Sequence, residues 1–206
     1  MTKHIWEKSY APPVSWDFPL PAPQPVQKIL QNAAAQWPDR VGLDFYDRTF
    51  TYKELLLLAS RVATGLQALG VGPGVHVGLH IVNSPHYLLC FFGVLLAGGR
   101  VVNCSPLAAR RELEYQLADA EVQILITMGL PALYQQASVL KGKARLRKLV
   151  ICRLEDFVST ELSRSLVGAG LERSVTADEV EFAKLIDNDG CFTPHPLGPL
   201  VDEVAV

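Results

Sequence analysis

The sequence predicts an α/β fold, a mostly parallel sheet with crossover helices on both faces, and three observations predict it. First, β-rich runs and helical runs alternate between Val75 and Thr127 in the order strand, helix, strand, helix, strand. Second, Tyr87 to Ala97 is apolar on nearly every side, as expected of a helix enclosed by protein on several faces. Third, Leu130 to Leu140 reads as a helix and leads to another strand at Leu149-Val-Ile-Cys152, which extends the same pattern. The last residues, Asp202-Glu-Val-Ala-Val206, begin a further strand and stop, so the fold is expected to be incomplete at its C-terminus.

Residues 1–25 carry Trp6, Tyr10 and Trp16 among six prolines, which forbid a regular helix and predict an extended arm whose aromatics lie against the body. Residues 26–152 form the expected α/β core. Val26 to Trp37 has helical spacing and ends at Pro38. Val41 to Tyr46 reads as a strand, Asp47-Arg48 as a turn and Thr49-Phe50 as a short return.

Thr51 starts the best-marked helix. Thr51 and Glu54 stand at the spacing of a capping box, Phe50 and Leu55 at that of a hydrophobic staple. Leu55, Leu58, Ala59, Val62, Ala63, Leu66 and Leu69 line one face, and Gly70 stands where a left-handed residue ends a helix. Gly70-Val-Gly72-Pro-Gly74 follows a helix and precedes a strand. A phosphate-cradling loop has the opposite order, so this one is a turn. Ser84 and Pro85 are well suited to open the next helix.

Residues 153–206 are expected to be irregular. Glu155 to Ala177 is weakly patterned, Asp178 to Ile186 reads as a short helix, and Phe192 to Leu200 holds three prolines as a surface crossing.

The chemistry-bearing residues are sparse. The net charge of −2 over 206 residues gives no basic excess for a nucleic acid partner. Cys90, Cys104, Cys152 and Cys191 form no CxxC pair and read as reduced thiols of a cytoplasmic protein. No signal core is present, and the longest apolar run is too short to cross a bilayer. His76 and His80 face the same side of a strand but stand roughly 13 Å apart, too far to share a metal. His86, near a helix start, reads as structural. Lys141, Lys143, Arg145, Arg147 and Lys148 could contact phosphate or form a solvated face; acidic residues elsewhere balance them, which favours the second reading. No Ser-His-Asp order or nucleophile elbow is visible.

Several stretches taken together resemble the N-terminal region of the adenylate-forming acyl-CoA synthetases, and within them the medium- and long-chain fatty acyl-CoA ligases. They are Phe50-Thr-Tyr-Lys-Glu-Leu55, the Ala63 to Gly74 helix and turn, Asn83-Ser-Pro-His-Tyr87, and Gly93-Val-Leu-Leu-Ala-Gly-Gly99. Val101-Val-Asn-Cys-Ser-Pro-Leu107, Arg111-Glu-Leu-Glu-Tyr-Gln116 and Ile124-Leu-Ile-Thr127 follow in order. Two positions depart from the family pattern: Val75 stands in place of an Asp, and Ala109 in place of a Thr helix cap, a loss of about 1 kcal/mol.

The resemblance implies a two-step reaction. A fatty acid carboxylate attacks the α-phosphate of ATP, with Mg2+, to give an acyl-adenylate and pyrophosphate; the coenzyme A thiolate then displaces AMP. It also implies that the phosphate loop and the catalytic residues come after residue 206, so no catalytic or metal-binding residue is expected here and the chain should be inactive alone. Asn103, Ser105 and Pro106 resemble the loop past which related synthetases lead coenzyme A. An open alternative is an interaction module that kept the fold and lost the chemistry. Apolar surface left uncovered would make the chain self-associate.

Overall fold

In a computed structural model of the chain, residues 5–11, 22–168, 176–199 and 204–206 are described. Helix α1 (Lys28–Gln36) leads into an antiparallel hairpin of β1 (Val41–Phe45) and β2 (Arg48–Thr51). The turn falls at Tyr46-Asp47, one residue earlier than expected, with Tyr46 at φ 56°. Next come α2 (Tyr52–Ala68), β3 (His76–His80), α3 (Pro85–Leu96), β4 (Arg100–Asn103), α4 (Arg110–Asp119), β5 (Ile124–Met128), α5 (Pro131–Ser138) and β6 (Lys148–Cys152). The chain then forms α6 (Thr160–Val167), β7 (Glu179–Glu181) and α7 (Phe182–Leu185).

Five strands make one sheet in the order β4-β3-β5-β6-β7, and every neighbouring pair is parallel. The pleat sends alternate side chains to opposite faces, and each face has its own core. Val77, Leu79, Ile124, Ile126, Met128, Val150 and Cys152 pack with residues of α2 and α3. Leu125, Leu149 and Ile151 pack with Leu113 and Leu117 of α4 and with Tyr134 and Ala137 of α5. This is the layered arrangement expected from the sequence, and it explains why β5 is buried at all five positions.

Helix α2 starts as its sequence dictates. The Thr51 hydroxyl accepts from the Glu54 amide at 3.2 Å, and the Glu54 carboxylate accepts from the Thr51 amide at 2.7 Å. Gly70 takes φ 86° beyond its end and Gly74 takes φ 79° before β3, so the glycine stretch is a turn between helix and strand. Helix α3 lies against α2, and no residue from Pro85 to Ala97 is exposed. Close approach depends on Gly93: a Cβ there would run into Val62 and come within 3.2 Å of the Ala59 carbonyl oxygen. Ser84 stands at the N-cap of α3 but does not cap it; its hydroxyl donates to the Val82 carbonyl instead. Ala109 opens α4 with no side-chain cap, as its lack of a hydroxyl requires.

Three expectations need correction. Asp178 to Ile186 is not one helix: Glu179–Glu181 pairs with β6 as a strand and only Phe182–Leu185 is helical. Thr160–Val167, read as weakly patterned, is a helix capped by the Ser159 hydroxyl on the Leu162 amide. Ile5–Ser9 forms a 3-10 turn ahead of the prolines of the arm, with Trp6 48% and Tyr10 45% exposed; Trp16 lies outside the described residues. Of the expected final strand, residues 202 and 203 also lie outside the described residues. Residues 204–206 carry no assigned strand, although the Val101 amide donates to the Ala205 carbonyl at 2.9 Å.

The Glu179 side chain ties β7 to α5. It accepts from the Tyr134 hydroxyl at 2.7 Å, the Lys141 ammonium at 3.0 Å and the Thr176 amide at 3.0 Å. Burial alone would raise its pKa, but the Thr176 amide, the Tyr134 hydroxyl and Lys141 together lower it to about 2.

Two outcomes follow from this packing. Gly93→Ala should lower stability to urea by about 1–3 kcal/mol, because α2 and α3 must part; an unchanged unfolding midpoint would remove Gly93 from that role. The Glu179 contribution is full above its ordinary value of 4.5 and lost as pH falls toward about 2. Glu179→Gln should therefore flatten the acid limb of a melting-temperature profile across that window, and parallel limbs in the two proteins would refute the assignment.

Candidate functional site

The strand order reverses at β3, which has β4 on one side and β5 on the other, so the carboxyl ends of β3 and β5 mark the topological switch point of the sheet. Open α/β sheets hold ligands in the crevice outside such a point. Four connections surround it here: residues 81–84 after β3, 104–109 after β4, 129–130 after β5 and 153–159 after β6.

The Asn103–Pro106 stretch lies on this edge. Asn103 ends β4 exposed, and its Oδ1 accepts from the Tyr87 hydroxyl at 3.0 Å. Its carbonyl accepts from Gln116 Nε2 at 2.8 Å. Ser105 is exposed, its Oγ accepts from the Leu107 amide at 3.2 Å, and its carbonyl accepts from the Ala108 amide at 3.1 Å. Pro106 is half-buried and Leu107 is 93% exposed. The loop thus holds its own shape with its polar atoms and offers Pro106 and Leu107 outward. Burial pushes the Cys104 thiol up to about 12, so it is protonated and inert at neutral pH.

Two histidines that the sequence left apart from any partner are tied into this edge. His80, fully buried at the end of β3, pairs through Nδ1 with the Thr127 hydroxyl of β5 at 3.1 Å, which closes the sheet at the switch point. Its Nε2 is buried with no partner among the described residues, and burial lowers its pKa. His86, also fully buried, donates from Nε2 to Asp156 Oδ2 at 2.9 Å, since a carboxylate can only accept. The same oxygen accepts from the Arg153 amide at 2.9 Å, and the rings of Phe157 and Phe182 lie 4.6 Å and 4.7 Å from the imidazole. His86 is structural, as its position suggested. Neither pairing could be found by local spacing, because the partners lie 47 and 70 residues away.

His76 is turned to the Ala120 carbonyl at the other end of β3 and shares nothing with His80. Among the described residues no three His, Cys, Asp or Glu side chains converge as metal donors. The basic cluster is consumed by acids: Lys141 pairs with Glu179, Lys143 with Glu114, Arg145 with Glu121 and Lys148 with Asp178. Only Arg147 of the five lacks a carboxylate partner among the described residues, so the phosphate reading of the cluster loses its charge. Among the described residues no helix is long and apolar enough to cross a membrane.

A parallel sheet in this strand order, with helices on both faces and a switch point at β3 and β5, defines a doubly wound α/β scaffold, and comparison with known proteins identifies its family. The family model described as AMP-binding enzyme matches residues 30–186, and the chain belongs to that family. A long-chain-fatty-acid–CoA ligase of Bacillus subtilis (strain 168) is 34% identical over 153 residues, which is 74% of this chain and 27% of that protein. Gramicidin S synthase 2 of Aneurinibacillus migulanus is 34% identical over 107 residues, 52% of this chain and 2% of that protein. The crystal structure of a long-chain-fatty-acid–CoA ligase from Archaeoglobus fulgidus superposes with a TM-score of 0.66 at 18% identity, covering 87% of this chain and 33% of that one. The chain therefore spans about a quarter to a third of these two ligases.

The buried imidazole gives a pH test. With its folded pKa below the ordinary 6.5, His80 refuses a proton that the unfolded chain accepts, so stability should fall as pH drops below 6.5. His80→Gln, which can still reach Thr127, should make that fall shallower in a urea series; identical slopes would show that His80 does not carry it.

Proposed function

We propose that this chain is the N-terminal part of an ATP-dependent fatty acid–CoA ligase and that it does not adenylate by itself. The observation that carries the reading is the extent of the match. The fatty acid ligase aligns over 153 residues at the same 34% identity that the peptide synthetase keeps over only 107. The Asn83-Ser-Pro-His-Tyr87 and Val102-Asn-Cys-Ser-Pro-Leu107 wording supports the same branch.

In the parent reaction a carboxylate, a poor electrophile, is activated as an acyl-adenylate whose AMP is a good leaving group for the coenzyme A thiolate. The described residues bring together neither a phosphate loop nor a set of metal donors. ATP and Mg2+ therefore belong, in this reading, to residues outside this chain, and no chemical step is assigned to its side chains. Its role is to hold the carboxyl edge in shape. Coenzyme A would pass the exposed Asn103-Cys-Ser-Pro106 loop; Asn103 Oδ1 and Ser105 Oγ already accept internal hydrogen bonds, so the contact surface would be the Asn103 side-chain amide N–H group, the Ser105 O–H and the Pro106 ring.

Pyrophosphate exchange into ATP tests the proposal. The 206-residue chain should give no exchange above background with decanoate, palmitate or any amino acid. The product of the longest reading frame that contains it should exchange with fatty acids and not with amino acids. Exchange by the short chain would overturn the first claim, and exchange dependent on an amino acid would overturn the second.

A further inference from the structure

A cavity lies at the opposite end of the sheet from the switch point. It measures about 260 Å3 and is bordered by the start of β4, the residues before α1, residues 195–197 and residues 204–205. Its position is set by α3, whose Leu95 forms part of the wall, and by the turn at Gly98, which takes φ 86°.

The segment that closes the cavity is held firmly. Gln67 of α2 pairs both ways with the backbone of Thr193: its Oε1 accepts from the Thr193 amide at 2.8 Å and its Nε2 donates to the Thr193 carbonyl at 2.7 Å. That double pairing fixes which end of the amide is nitrogen. The same Nε2 lies 3.4 Å from His195 Nε2. The second amide hydrogen also has the Ala97 carbonyl at 3.4 Å; when it is given to His195, Nε2 accepts and the ring proton sits on Nδ1, which has no partner among the described residues. The His195 ring in turn rests on Gly98, where a Cβ would stand 2.5 Å from its Cδ2. The imidazole is thus positioned from two sides as a wall of the cavity.

Arg100, the first residue of β4, is the other polar wall. It is half-buried and has no ion-pair partner among the described residues. A guanidinium and an imidazole N–H are both donors, and a site that presents donors suits an anion. One formal positive charge suits a single negative charge better than a doubly charged phosphate. The remaining lining includes Leu95, Leu197 and Val204, so the anion should carry an apolar group. The volume lies just below the range of ligand pockets, which run upward from about 300 Å3, so that group is short.

We infer that this cavity is a binding site for a small aliphatic monocarboxylate, separate from the carboxyl edge of the sheet. The carboxylate pairs with Arg100 and accepts from His195 Nδ1, while the chain lies against Leu95 and Leu197. The inference is independent of the ligase reading, because it needs no ATP and no adenylation.

The test is a titration of the 206-residue chain with carboxyl-labelled octanoate followed by NMR. Octanoate should bind saturably at one site. Arg100→Gln should weaken binding about ten-fold, as loss of a charge-assisted pair does. Leu197→Asp, at a position already 42% exposed, should abolish it by placing like charge on the wall. Arg111→Gln, on the exposed start of α4, should leave it unchanged. If circular dichroism shows that Arg100→Gln does not fold, Leu197→Asp decides alone. Absence of saturable binding, binding indifferent to both substitutions, or equal occupancy by octanol or inorganic phosphate would overturn the site.

Discussion

The burial of α3 between the sheet and α2, with only Tyr87, Leu88, Phe91 and Phe92 part-buried on its remaining face, is the constraint that organises this chain. A helix with Leu89, Cys90, Val94, Leu95 and Leu96 all buried needs partners on more than one face, and it finds them in the sheet and in α2. Fully burying an aliphatic side chain is worth about 1.5–3 kcal/mol, so these residues together contribute on the order of 10 kcal/mol as an upper bound. A side-chain cap contributes about 1 kcal/mol. That disparity explains why the uncapping geometry of Ser84 is tolerated: the helix is positioned by its flanks and not by its start. It also explains why the tightest steric condition falls at Gly93, in the middle of the contact with α2.

Charge plays a different part. Acids drawn from three separate places, Glu114, Glu121 and the adjacent Asp178 and Glu179, come back to meet the basic residues between α5 and the start of β6. Three of these pairs are substantially exposed, and such pairs contribute little each. The fourth is not: Glu179 is buried and satisfied by an ammonium, a phenol and an amide at once, so it fixes the short edge strand β7 where three residues of backbone pairing alone would be marginal.

Much of the fold was legible because its signals are local. The Thr51–Glu54 box, the left-handed Gly70, the apolar run of α3 and the β-branched runs of β5 and β6 each declare themselves within a few residues. What was hidden depends on distant partners. Glu179–Glu181 is a strand only because β6 lies beside it, and its own sequence, Glu-Val-Glu, is too short to show alternation. The α6 helix had a readable start in Ser159 followed by Glu161, but its apolar positions are too few to stand out. At the candidate site the Asn103–Pro106 loop was placed correctly on a strand-to-helix connection, whereas His80 was weighed against His76, its neighbour in sequence, when its partner is Thr127 on the next strand. Pleat and spacing were enough to exclude a metal there and could not reveal what the imidazole does instead.

The two ends of the sheet are built on opposite principles. At the carboxyl end nearly every polar side chain is spent inside the protein: Tyr87 on Asn103, Gln116 on the Asn103 backbone, His86 on Asp156, His80 on Thr127. What that edge can offer a ligand is its shape, the Pro106 ring and the donor groups of the exposed Asn103 and Ser105. At the amino end Gln67 spends its amide on holding the Thr193 backbone beside the His195 ring, and Arg100 stands next to an apolar wall with no ion-pair partner among the described residues. Since α3 runs from one end to the other, with Tyr87 at the first and Leu95 at the second, the same buried rod sets the geometry of both. A displacement of α3 would therefore be felt at both ends of the sheet.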